Sequence, residues 1–196
     1  MSNKYIGDPH FFHHNIIKYD NRKFKSVQEM NEYLEASWNE TTKADDTVWI
    51  LGDFTWSDNS TENRDLLNRL NGRKILIKGN HDRPLMAVRD CFEQICDYRE
   101  IVDEKTKVVM FHYPILFWNN QFHDSVHLYA HVHNSQQWNI MESTMSEVRA
   151  LQAIPMRAYN VGCMMPWMHY APQTLEDIIE GYNNWAKVSE ITGGLR

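Results

Sequence analysis

The strongest constraint on how this chain folds is a rhythm: short apolar runs stop abruptly at an acid, an amide or an imidazole. Lys4–Gly7 runs into Asp8-Pro9-His10, and Thr47–Leu51 into Gly52-Asp53. Lys74–Lys78 runs into Gly79-Asn80-His81-Asp82, Lys107–Phe111 into His112, and Ser125–Ala130 into His131-Val132-His133. Runs of four to eight apolar residues bounded by such breaks read as buried strands. In open α/β folds, the carboxyl ends of strands collect at one edge of the sheet, and sites form there. The pattern therefore predicts a single edge holding two aspartates, an asparagine and several histidines.

Helical patterns lie between the strands. Ser26 is the expected cap of a helix whose apolar face is Val27, Met30, Tyr33, Leu34 and Trp38, with Glu29 completing a capping box. A second helix is expected from about Thr61 to Leu70, stopped by Asn71-Gly72, and a closing helix over Thr174–Lys187. Further strands are expected at Gln94–Tyr98, Glu100–Asp103 and Ala158–Val161. The longest piece between strands, Asn134–Pro155, carries Trp138, Met141, Met145 and Val148 at helical spacing. It is read as a helix covering the core, with a lid or dimer contact as the alternative. Alternation of this kind implies a layered α/β fold, and 196 residues suit one domain spanning 1–196.

Composition narrows the partners. A formal charge of −6 argues against a nucleic-acid polymer as the main ligand, because binding to phosphate backbones relies on clustered Lys and Arg. Small phosphate esters such as nucleotides stay open, since bound metals supply local positive charge. Cys91, Cys96 and Cys163 form no CxxC pair, which favours a reducing compartment over a disulfide scaffold. With no leader-like start and no long apolar run, a cytoplasmic monomer or homodimer is expected, away from membranes.

The chemistry follows from the residue types. On an extended segment, residues two apart point to the same side, so Asp8 and His10, and likewise His131 and His133, are expected to reach one ion each. Asp53 is a carboxylate able to bridge two ions, Asn80 offers a neutral oxygen, and His112 a further nitrogen. Mixed N/O ligation without thiolate points to first-row transition metals: manganese first, with iron, zinc, nickel and cobalt as alternatives. Two such ions ionise a water near neutral pH and clamp phosphoryl oxygens, which is a hydrolytic arrangement.

The ordered set Asp8-x-His10, Gly52-Asp53, Gly79-Asn80-His81-Asp82, His112, His131-x-His133 resembles the calcineurin-like metallophosphoesterase superfamily. Within it, the chain is similar to a small bacterial and phage group of uncharacterised phosphoesterases. The features shared with that group are D-x-H-F-x-H-x-x-I-I from Asp8 to Ile17, Tyr-x-x-Arg-x-Phe at Tyr19–Phe24, His112-Tyr113-Pro114 followed by Trp118, and Asn160-Val161-Gly162. The resemblance covers roughly Tyr5 to Ala171.

It implies two facing mixed sheets flanked by helices, with a binuclear centre at one edge. One ion would take Asp8, His10, Asp53 and His133; the other would take Asp53, Asn80, His112 and His131. His81 would stabilise the transition state or protonate the leaving oxygen, and Asp82 would hold the loop or orient a neighbour. His13 would touch substrate or bond a backbone carbonyl. Asn15 is similarly open, and Arg22 would grip a phosphate oxygen or pair with a carboxylate.

Two departures qualify the likeness. Ala130 stands where the family usually has glycine before His-x-His, which is tolerable if its φ is not positive. Gly52–Asp58 lacks the second aspartate and the arginine of the protein-phosphatase branch. A metal-dependent phosphodiesterase acting on nucleotides or other small molecules through metal-activated hydroxide is therefore expected. A non-catalytic scaffold for protein binding and a nuclease using the same site are the alternatives. His123, His127 and His169 are expected to be surface or core residues. Trp49, Trp56, Trp118 and Trp167 are expected in the core and at its rim, with Trp118 or Trp167 the candidates for an apolar wall against a nucleobase. The Met164–Met168 run should fill space beneath the site.

Overall fold

The computed structural model describes residues 1–152 and 156–192 and arranges the strands in two four-stranded sheets. The first has the order β1 (Asn3–Ile6), β2 (Thr47–Ile50), β3 (Arg73–Ile77) and β4 (Gln94–Cys96), and every pairing is parallel. The second runs β5 (Tyr98–Asp103), β6 (Thr106–Phe111), β7 (Val126–Tyr129) and β8 (Ala158–Asn160), with β5–β6 antiparallel and the rest parallel. Only the second sheet is mixed, which corrects the expectation of two mixed sheets. The physical reason is connection length: β5 and β6 are joined by a tight turn, while helix-bearing crossovers return β2 and β3 in the same direction.

Five helices occur among the described residues: α1 (Ile16–Tyr19), α2 (Val27–Thr41), α3 (Ser60–Arg69), α4 (Gln136–Gln152) and α5 (Leu175–Thr192). Ser26 caps α2, its Oγ accepting from the Glu29 N–H at 3.1 Å. The Glu29 carboxylate takes the Lys25 N–H rather than that of the cap residue, so the box is displaced by one residue. Met30, Leu34 and Trp38 are buried as expected, while Tyr33 is exposed. Asn59 caps α3 by accepting from the Thr61 and Glu62 N–H groups. Thr174 and Asp177 form a reciprocal capping box on α5.

One apolar core draws on both sheets and all five helices. Trp138 and Met145 of α4 are buried in it, so that helix covers the core; residues 153–155 of the Asn134–Pro155 segment lie outside the described residues. A 3₁₀ run over Arg83–Cys91, absent from the sequence reading, links β3 to β4. No described helix is long and apolar enough to cross a membrane.

The sheets meet where their strands end. Gly7, just past β1, bridges in parallel to Gly162, just past β8. A Cβ on Gly7 would lie 2.5 Å from Cβ of Ala130, so the small residue after β1 leaves room for the methyl at the end of β7. Ala130 itself avoids positive φ, the condition under which a methyl there is tolerated. The carboxyl ends of β1, β2, β3, β6 and β7 thus converge at one edge.

Candidate metal centre

At this edge the backbone turns left-handed at five of the seven candidate ligands, Asn80 and His112 being the exceptions. Asp8 (φ 49°), His10 (φ 52°), Asp53 (φ 52°), His131 (φ 68°) and His133 (φ 50°) all have positive φ. Asp8 and His10 therefore converge by a turn rather than along an extended segment, while His131 and His133 divide between two clusters, both contrary to the expectation. Asp and His are among the residues that tolerate this region best, yet such conformations are uncommon and concentrate at functional sites.

The result is two clusters. Asp8, His10 and His133 form one, and Asp53, His112 and His131 the other; within each, ligand-type atoms lie within 4.8 Å of one another, and each could hold a metal ion. The Nε2 atoms of His10 and His133 are 3.3 Å apart. His133 Nε2 is 3.9 Å from Asp8 Oδ2, and His112 Nε2 is 3.2 Å from Asn80 Oδ1. Asp53 sits between the clusters: its Oδ2 is 3.8 Å from His10 Nε2 and 3.6 Å from His112 Nε2. Its other oxygen accepts the His81 N–H at 2.9 Å, which fixes the carboxylate plane.

The donor set fits a pair of divalent ions. Ligand atoms bonded at about 2.1 Å to a common ion stand roughly 3.0–3.4 Å apart for octahedral to tetrahedral angles, close to the spacings seen. Asp8 Oδ1 and His131 Nδ1 are buried without a hydrogen-bond partner, a cost that protein interiors seldom accept. The two Nε2 atoms facing each other cannot both donate, whereas a cation between them uses both lone pairs.

Neighbouring groups orient these ligands. His112 Nδ1 donates to the Leu51 carbonyl at 2.7 Å, leaving Nε2 towards Asp53. His133 Nδ1 pairs with Asp20 Oδ1 at 2.8 Å, and Asp20 is held by Arg22 at 2.8 Å. Such carboxylate–histidine pairs fix the ring and strengthen its donor nitrogen. Charge follows the same lines. Burial pushes Asp8 up to about 6 despite the nearby His133 and His112. Burial opposes ionisation of Asp53 and His112 too, but their mutual contact wins, holding Asp53 down and His112 up. Burial lowers His10 well below its usual value.

Not every expected residue faces the cleft. Arg22 is 4% exposed, with its donors spent on Asp20 and on the Pro9 and Asp8 carbonyls, so it is an internal brace and not a grip on phosphate. Asp82 is buried as well: its carboxylate accepts from the Asp53, Phe54 and Gly79 N–H groups, clamping the loops after β2 and β3 together. A cleft of about 490 Å³ is lined by His10, His13, Asn15, Asp53, Asn80, His81, His131 and His133. Trp118 and Trp167 are 8% and 2% exposed and cannot form its wall; Trp56, 48% exposed, lines it instead. Met164, Met165 and Met168 are buried, with the Met164 sulfur close beside Gly162 as space-filling predicts.

Sequence reasoning missed Asp20, whose place between Tyr19 and Arg22 in the Tyr-x-x-Arg motif was the available signal. It also missed the cleft role of Trp56, three residues after Asp53.

No protein-family model matches the chain. Among curated proteins, an uncharacterized protein of Methanocaldococcus jannaschii is 48% identical over 79 residues, 40% of this chain and 45% of that one. The gene 66 protein of Mycobacterium phage L5 is 30% identical over 59% of this chain and 56% of its own length. The chain thus spans about half the length of these two relatives. The gene 66 protein of Mycobacterium phage D29 is 30% identical over 61% of this chain and 71% of its own length. Among solved structures, a protein of unknown function from Aquifex aeolicus has a TM-score of 0.68 and 25% identity, covering 91% of this chain and 97% of that one. YfcE, a phosphoesterase from E. coli, overlaps with a TM-score of 0.34 over 68% of this chain, too little to establish a shared fold.

Proposed function

The chain belongs to the family of the phage D29 gene 66 protein, and we propose that it is a phosphoesterase dependent on two divalent metal ions, acting on small phosphodiesters. The observation that carries this reading is Asp53 Oδ2, poised 3.8 Å from His10 Nε2 and 3.6 Å from His112 Nε2 between two His/Asp clusters. Asp8, His10, Asp53 and His133 would hold one ion, and Asp53, Asn80, His112 and His131 the other; manganese is the metal to try first. When bound, such ions lower the pKa of water and neutralise charge on a phosphoryl group.

The chain's own residues supply the rest. The His81 ring lines the cleft beside Trp56, where it can give a proton to the departing ester oxygen, while its N–H holds Asp53. His13 and Asn15 line the same cleft and would contact the ester substituents. Val132 and Ile16 add apolar surface to its lining. The described lining contains no Lys or Arg, which disfavours a polyanionic strand as substrate.

The test is turnover of bis-p-nitrophenyl phosphate beside p-nitrophenyl phosphate with manganese. Metal-dependent hydrolysis, faster for the diester and lost in Asp53→Ala and His81→Ala, is expected. Rates unchanged in both variants would refute the assignment.

A further inference from the structure

The aromatic residues at the cleft mouth pack on the site's own histidines and leave much of their surface in solvent. Trp56 is 48% exposed and Tyr19 is 70% exposed, although the backbone N–H of each is hydrogen-bonded to a neighbouring carbonyl. Trp56 follows the Phe11–Thr55 bridge and donates its N–H to the Phe11 carbonyl at 2.8 Å; Tyr19 closes the single turn of α1. The buried ring of His13 links them, with its centroid 3.9 Å from Trp56 and 6.2 Å from Tyr19. Trp56 also lies 4.6 Å from the His81 ring and 6.3 Å from that of His10, so the aromatic surface begins at the metal-ligand cluster.

A fixed, half-exposed indole beside a site for a charged group is a stacking platform. Stacking is tolerant of ring chemistry, because every aromatic ring offers a π-face. Since the cleft lining holds no Lys or Arg, affinity beyond the phosphoryl group must come from uncharged contacts, stacking on Trp56 among them. Asn15, Ser135 and Gln137 at the same mouth offer hydrogen-bonding edges but no charge.

We infer that Trp56, flanked by His13 and Tyr19, selects phosphate esters carrying an aromatic substituent and stacks that ring next to the phosphorus. The inference rests on the phosphoesterase reading for the identity of the charged group, and it assigns Trp56 to specificity rather than to bond breaking.

Calorimetric titration of the manganese-loaded full chain with phenylphosphonate and with ethylphosphonate tests it, because neither ligand has an ester bond to break. Wild-type protein should bind the phenyl compound about ten- to hundredfold more tightly, the range that loss of one stacking partner usually spans. Trp56→Ala should erase most of that ratio, and Trp56→Phe should keep part of it, with melting curves confirming that both variants fold. Equal affinities in the wild type, or a ratio untouched in Trp56→Ala, would overturn the inference. A Trp56-dependent phenyl preference without hydrolysis of bis-p-nitrophenyl phosphate would defeat the catalytic reading and leave this one standing. Hydrolysis without phenyl preference would do the reverse.

Discussion

The strand β7 and the turn that follows it treat histidine in opposite ways. In the middle of β7, His127 is fully buried and complete: its Nδ1 donates to the Val109 carbonyl at 3.1 Å, and its Nε2 accepts from the Ile115 N–H at 3.2 Å. Four residues on, past the end of β7, His131 has a buried Nδ1 with no partner, and His133 Nε2 faces His10 Nε2 at 3.3 Å. His127 is a neutral structural residue whose tautomer is set by backbone. The imidazoles at the strand ends are brought together in pairs and triples that the protein alone leaves short of hydrogen bonds. The contrast separates a histidine kept for folding from histidines that could hold a cation.

The largest effect should come from unbalancing the brace behind His133. In Asp20→Ala, Arg22 loses its carboxylate while staying buried, which should cost about 3–5 kcal/mol of stability by denaturant unfolding. The same variant should weaken one of two manganese-binding steps by roughly 10–100-fold, because His133 loses its orienting partner. The other step should be spared, since His112 is oriented by a main-chain carbonyl. Equal weakening of both steps would show that the half-sites are not separately supported.

A crossed pair of substitutions sharpens the comparison. His127→Leu should destabilise the protein by about 2–4 kcal/mol, leaving the Ile115 N–H and the Val109 carbonyl unpaired, with metal content unchanged. His10→Leu should do the opposite, losing metal by elemental analysis while the metal-free protein melts at nearly the wild-type temperature.

Acid provides a third test. Burial holds His127 down to about 4, whereas the unfolded chain takes up that proton near 6.5. Between those values the unfolded state binds more protons, so stability rises with pH across the window and is lost on acidification, by about 3 kcal/mol in total. Unfolding curves of wild type minus His127→Leu isolate this contribution. Metal affinity should also fall on acidification, by up to about tenfold per pH unit, because Asp53 holds His112 protonated and that proton must leave.

The smallest effects belong to the seam between the sheets. Gly7→Ala should cost about 1–3 kcal/mol by driving its methyl into Ala130, and Ala130→Gly should restore most of it in the double variant. Independent, additive costs would mean that the two residues do not compete for one space.

These contrasts also explain what the sequence made legible. Strand ends were visible because each apolar run stops at a polar residue, and α2 was visible because Ser26 precedes an apolar stripe. Backbone handedness at Asp8, His10, Asp53, His131 and His133 was not visible, because the pattern of side chains says nothing about φ. The role of Asp20 depends on a partner 113 residues away in sequence, and of the two partners open to Arg22, a phosphate or a carboxylate, only packing decides for that same aspartate. Trp118, Trp167 and Trp56 are alike in composition, and only packing decides which of them stays half in solvent.

Manganese titration followed by calorimetry, on wild type and Asp53→Ala side by side, bears most directly on the shared carboxylate. Two ions per wild-type chain are predicted, with binding in the variant reduced far beyond the roughly 100-fold that orienting residues contribute. Undiminished binding of two ions in Asp53→Ala, or none in the wild type, would contradict it.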